Sequence, residues 1–157
     1  MAASAFTLYS NAVLGMSKGQ FNLSTDAYVA TLHTNTYVPA PNTDTGWGLA
    51  GTAGTPANTE LATGLGYTAG GVLLAAETDT LTTATVTFTA NSPSWPTFSA
   101  GPFRYVLITR RAAAALASTD LLLCYSDLTG AGTISGTGGS FTITVSGSGI
   151  FALTHSP

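Results

Sequence analysis

Phe103-Arg104-Tyr105-Val106-Leu107-Ile108-Thr109-Arg110 decides the fold class. The run is dense in aromatic and β-branched residues and is opened by Pro102, so it reads as a strand. A period of two predicts Phe103, Tyr105 and Leu107 on one face, with Arg104, Val106 and Ile108 on the other. Flanking stretches obey the same logic. Residues 26–34 alternate small or polar with larger side chains, and residues 85–90 alternate threonine with Val86 and Phe88. Segments 121–126, 140–145 and 149–154 complete the set. In 140–145, Phe141, Ile143 and Val145 are expected to share a face while Thr142 and Thr144 point outward. Gly, Pro and Asn punctuate these runs. Strands joined by short turns favour two antiparallel sheets packed face to face: an all-β sandwich, jelly-roll-like or immunoglobulin-like.

The start of the chain follows another period. Phe6, Tyr9, Val13 and Met16 lie three and four residues apart, which predicts a helical stripe over residues 6–16, with Gly19 as its stop. Residues 1–20 therefore read as a segment with one short helix and residues 21–157 as the sandwich, together a single domain. Two stretches, 39–58 and 129–139, read as long Gly- and Thr-rich loops. Trp47 is the only large side chain in the first. It either folds back on its own sheet or anchors a contact with another chain.

Charge is scarce. Four basic and seven acidic residues make up 7% of the 157 positions, where soluble domains average roughly 25%. Lys18 is the single lysine, and threonine fills twenty-eight positions. Charges normally keep folded surfaces apart and blunt sheet edges, so a neutral, hydroxyl-rich chain suits permanent contact with other protein. Nucleic acid is excluded as a partner, because Arg104, Arg110 and Arg111 make no basic stripe. No membrane span is expected: apolar runs such as 70–76 and 121–125 fall far short of the ~20 residues a helix needs. No secretory signal is read at the start.

Little in the sequence carries chemistry. Cys124 lies in the apolar run Leu121–Tyr125 and reads as a buried small hydrophobe. The acids are scattered, and the neighbours Glu77 and Asp79 read as solvated turn residues. His33 falls in a strand and His155 near the end, and with Cys124 they show no metal-ligand spacing. The glycines of Gly64-Leu65-Gly66-Tyr67-Thr68-Ala69-Gly70-Gly71 lack the following helix and the lysine of a phosphate loop, so they read as backbone bends around an aromatic anchor. Ser146-Gly147-Ser148-Gly149 reads as a hairpin turn. No enzyme activity, cofactor or metal is expected.

The order of segments resembles a group of small β-rich structural proteins of tailed bacteriophages. It runs from a short helix carrying Tyr9 through Asp26-Ala27-Tyr28-Val29-Ala30-Thr31-Leu32 to Asn58–Val72, where an acidic residue (Glu60), a Gly-Tyr pair (Gly66-Tyr67) and closing glycines (Gly70-Gly71) recur. Val86-Thr87-Phe88, Ser94-Trp95-Pro96-Thr97, Tyr105–Ile108, Leu121–Asp127, Gly139–Ile143 and Gly149-Ile150 follow. The resemblance implies a virion component, foremost a capsid decoration (cement) protein. Its expected partners are the major capsid protein and copies of itself, grouped as a homotrimer. A tail fibre, adaptor or baseplate protein is the structural alternative. A carbohydrate-binding module gripping a host glycan through Trp47, Trp95 and Tyr37 is the third reading. Candidate contact residues are Phe6, Tyr9, Tyr37, Trp47 and Trp95.

Overall fold

The computed structural model describes residues 5–48 and 54–154. In chain order they form β1 (Thr7–Leu8), α1 (Ser10–Ser17), β2 (Ala27–His33), α2 (Pro56–Thr59), β3 (Val72–Leu73) and β4 (Thr78–Thr82). Then come β5 (Thr85–Thr89), β6 (Ser94–Phe98), β7 (Tyr105–Arg111), β8 (Leu122–Asp127), β9 (Gly139–Thr142) and β10 (Phe151–Thr154). All pairings are antiparallel. A five-stranded sheet has the order β1-β8-β7-β2-β3, a three-stranded sheet the order β10-β5-β4, and β6 with β9 makes a two-stranded ribbon. The chain is an all-β sandwich with a short N-terminal helix.

The stretch that announced the fold lies at its centre. β7 pairs with β2 along its whole length, from Ala27 opposite Arg111 to His33 opposite Tyr105. Residues opposite one another share a face, so Tyr28, Ala30, Leu32, Val106 and Ile108 form one side, while Thr31, His33, Tyr105 and Leu107 form the other. Both sides are buried, and two-sided burial explains why these strands read as nearly unbroken apolar runs. On the first side the Tyr28 ring meets Phe88 of β5 at 5.3 Å, and Phe88 packs on Phe151 of β10. On the second, Tyr37 from the following loop stands edge-on to Tyr105, and Trp47 edge-on to His33.

Four expectations change. Phe103 does not share partners with Tyr105: it lies outside β7 and its ring packs on Phe98 and Phe141 of the β6–β9 ribbon. Between them, the Arg104 N–H bonds to the His33 carbonyl and the Arg104 carbonyl accepts from Leu128, which interrupts simple alternation. The helix starts at Ser10 rather than Phe6, because Thr7 and Leu8 pair with Tyr125 and Cys124 as β1. Its inward side is Tyr9, Ala12 and Gly15, and Val13 is 47% exposed. Gly15 permits this, since a Cβ there would lie 2.7 Å from the Phe21 ring; small residues let the helix sit close where the apolar stripe would hold it away. Asp79 belongs to strand β4, not to a turn; the turn is Thr83-Ala84. Finally, Ser94–Phe98, which is not among the strand runs read from the sequence, is a strand despite Pro96, as an edge position allows.

Candidate functional site

The five candidate contact aromatics are mostly core residues. Tyr9, Tyr37, Trp47 and Trp95 are all buried, and only Phe6 is half-exposed. The Tyr37 hydroxyl donates to Asp44 Oδ2 at 2.8 Å and so leaves its lone pair for the Tyr9 hydroxyl, 2.7 Å away. Asp44 also accepts the Ala40 N–H, which fixes the loop. Burial pushes both phenol pKa values well above the ordinary tyrosine range. Trp47 is stitched to the body by its N–H to the Asp120 carbonyl and by its own carbonyl, which accepts from Ala57. Trp95 is walled in by Tyr67, Phe98 and Phe141. These rings therefore present no platform to a sugar or a partner; Trp47 folds back on its own sheet. Phe6 lines an open groove of about 510 Å³ with Leu8, Ile150 and Phe151.

The segment from Glu60 to Gly71 is a seal on the outer edge of β2. β3 pairs with only two residues of that edge, Val29 and Ala30. Beyond them the Leu32 N–H donates to the Tyr67 hydroxyl at 3.1 Å, and the Leu32 carbonyl accepts from Leu61 at 2.9 Å. Tyr67 passes its proton side to Glu60 Oε1 at 2.6 Å, and the same oxygen accepts the Gly70 N–H at 2.7 Å. Burial raises the Glu60 pKa, and these two donors oppose the rise. The glycines are steric necessities: a Cβ at Gly66 would lie 1.7 Å from the Thr97 carbonyl oxygen, and one at Gly71 2.2 Å from that of Ala30. The bends around an aromatic anchor stand as read, with a structural rather than a ligand-binding acid.

The remaining reactive side chains are enclosed too. His33 sits between two hydroxyls, with Nε2 2.9 Å from Thr31 and Nδ1 3.2 Å from Thr59. Thr59 already donates to carbonyls of its own turn, so Nδ1 carries the proton and Nε2 accepts from Thr31. Burial drives the His33 pKa down to about 3. Cys124 is buried in β8, and its thiol pKa is pushed well up. His155 lies outside the described residues. Among the described residues no group of acidic, histidine or cysteine side chains is arranged to hold a metal, and no helix is long and apolar enough to cross a membrane.

What stands open to solvent is the β4–β5 hairpin. Every residue of β4 is exposed. Cross-strand register places Thr80 opposite Thr87, Thr82 opposite Thr85 and Thr78 opposite Thr89, so one face is a lattice of hydroxyls that continues to Thr154 of β10. Thr85 and Thr154 hydroxyls lie 3.1 Å apart. On the other face Phe88 and Phe151 enter the core, but Leu81, Val86 and Leu153 extend past it as a ledge. Leu81 is 70% exposed, and the ledge lines a shallow apolar groove of about 490 Å³. The composition hinted at this surface through its threonines, and residues 85–90 read as a strand, but nothing in 78–84 marked the other arm of the hairpin.

Comparison of the chain with protein-family models, with curated proteins and with solved structures finds no match.

Proposed function

We propose that this chain is a structural component of a tailed-bacteriophage virion, a capsid decoration protein that lies on the outer shell and stabilises it through contacts with the major capsid protein and with its own copies. It would act through buried area rather than catalysis. The observation that carries this reading is how little charge is left for the surface. Of eleven charged side chains, Arg104 with Asp127 and Arg110 with Asp26 form ion pairs, and Glu60, Asp44 and Asp120 accept internal hydrogen bonds. The exposed faces are mostly uncharged, with Thr, Ser, Gly and Ala beside apolar Val13, Leu14, Val38, Leu65, Leu73 and Leu81. Such faces cost less to desolvate than lysine or glutamate and lose less side-chain entropy on contact. On a shell, hundreds of weak identical contacts reinforce one another. In free solution the same faces favour association.

The test is co-sedimentation of the purified chain with undecorated shells of the phage that encodes it. Saturable binding, with shells that resist heat better once decorated, is the expected result. Failure to bind at any shell-to-protein ratio refutes a decoration role, and labelled protein found only on tails replaces it with the tail alternative.

A further inference from the structure

Among the described residues, the outer edge of β4 is the longest unpaired strand edge that carries no lysine, proline or bulge. Natural edge strands carry lysine, proline or a bulge that prevents pairing. Thr78-Asp79-Thr80-Leu81-Thr82 has no lysine, proline or bulge and pairs with β5 in unbroken register; its one charge, Asp79, lies on the face of Phe88 and accepts from the Ser24 hydroxyl. Thr82 and Thr85 close a two-residue turn in which Thr83 takes φ +55. Thr82, Thr80 and Thr78 then direct their backbone groups toward β5, and Asp79 and Leu81 direct theirs outward.

We propose that β4 pairs antiparallel with β4 of a second copy of this chain, in a register centred on Thr80. The strand is self-complementary in that register, which uses both of its outward-facing residues. The outward N–H and carbonyl groups of Asp79 and Leu81 meet those of Leu81 and Asp79 in the second copy, which gives four main-chain hydrogen bonds. Each carboxylate lies opposite a leucine, and the two carboxylates are diagonal rather than facing, so no like charges meet directly. A shift by two residues one way would set Asp79 directly against its own copy, and the other way would set Leu81 against Leu81 but place Asp79 opposite the turn residue Thr83, beyond the strand. The antiparallel arrangement also brings the apolar tip of each hairpin, with Leu81, Val86 and Leu153, alongside the root of the other. The product is a continuous six-stranded sheet, β10-β5-β4 joined to its two-fold copy, with the threonine lattice running across one face. A two-fold contact at this edge leaves the rest of the surface for a shell or for a three-fold contact.

The pairing is tested on the full chain by sedimentation over a wide concentration range, with two designed variants. The wild type is expected to form dimers. Leu81→Asp sets carboxylates opposite each other and should weaken dimerisation by about tenfold or more, and adding Asp79→Lys to it should restore the dimer by pairing opposite charges. Thr80→Cys should cross-link two chains on mild oxidation, because residues facing each other at a non-hydrogen-bonded site have Cα atoms about 4.5 Å apart, within disulfide reach. The buried Cys124 does not compete. Circular dichroism confirms that each variant is folded. A wild type that stays monomeric, or a dimer indifferent to Leu81→Asp and not cross-linked through position 80, overturns the proposal. The outcome is separable from the decoration reading: a dimer that ignores shells counts against that reading alone, and a shell-bound chain with β4 unpaired counts against this one alone.

Discussion

Replacing Tyr67 with phenylalanine removes one oxygen and should cost far more than a surface change. Among the described residues that oxygen is the acceptor of the Leu32 N–H, 3.1 Å away at the sealed outer edge of β2, and it donates to Glu60 Oε1 at 2.6 Å. The ring would keep its place beside Trp95 and Phe98, so the hydrophobic contribution hardly changes. A buried backbone donor left without a partner costs about 1–3 kcal/mol, and a lost hydrogen bond to an ionised group about 1.5–3 kcal/mol. Together Tyr67→Phe should lose roughly 2.5–6 kcal/mol, a large share of the roughly 5–15 kcal/mol that holds an ordinary domain. For a chain of this size the melting temperature should fall by roughly 5–24 °C. Urea unfolding followed by tryptophan fluorescence reads the loss, with Glu60→Gln as the comparison. The glutamine keeps an acceptor for Tyr67 and Gly70 and, since burial already disfavours the charged form of Glu60, should cost less. A Tyr67→Phe loss below about 1 kcal/mol, with an unchanged denaturant slope, would show that segment 60–71 does not seal β2.

The buried imidazole of His33 predicts an acid-labile fold. The folded pKa is about 3 against an ordinary 6.5, so in that window the unfolded chain binds a proton that the folded chain refuses. Stability should therefore fall as pH drops below about 6.5, at up to ~1.4 kcal/mol per unit. Glu60, whose folded pKa is raised, works against the loss near its own range; His33→Gln should flatten the slope in urea titrations at successive pH values. Gly66→Ala should cost more than about 3 kcal/mol because its methyl has no room against Thr97, whereas Gly139→Ala, with nothing within 4 Å, should stay within about 0.5 kcal/mol of the parent. Trp47→Ala should destabilise by about 3–5 kcal/mol in thermal melts, as loss of a core aromatic does. A merely exposed loop residue would leave the melt unmoved.

Runs with an unbroken apolar character or a clean period of two were legible as strands: residues 26–34 and 85–90 contain one each, and 103–110 and 121–126 each cover all but the last residue of one. What periodicity could not reveal was which faces would be covered, because loop 34–48 buries the second side of β2 and β7 through Tyr37 and Trp47, and the sequence of a loop carries no period. Helix α1 was legible as a helix but not as a face. Its close seat depends on Ala12 and Gly15, and hydrophobic spacing weighs Val13 above both. β4 was hidden for the opposite reason. Thr78-Asp79-Thr80-Leu81-Thr82 has no core-facing pattern because it lies on no core. The candidate contact residues were chosen for aromatic bulk, which marks interiors as strongly as interfaces. The open surface of the β4–β5 hairpin is made instead of small hydroxyls and a ledge of Leu81, Val86 and Leu153, signalled only by the overall lack of charge.

The proposed decoration role is tested most directly by counting this chain, by quantitative mass spectrometry against the major capsid protein, in purified phage particles whose genome carries this sequence. Hundreds of copies per particle are the expected result. Particles that lack the chain would contradict a virion role outright, and a count of three, six or twelve would move it from head to tail.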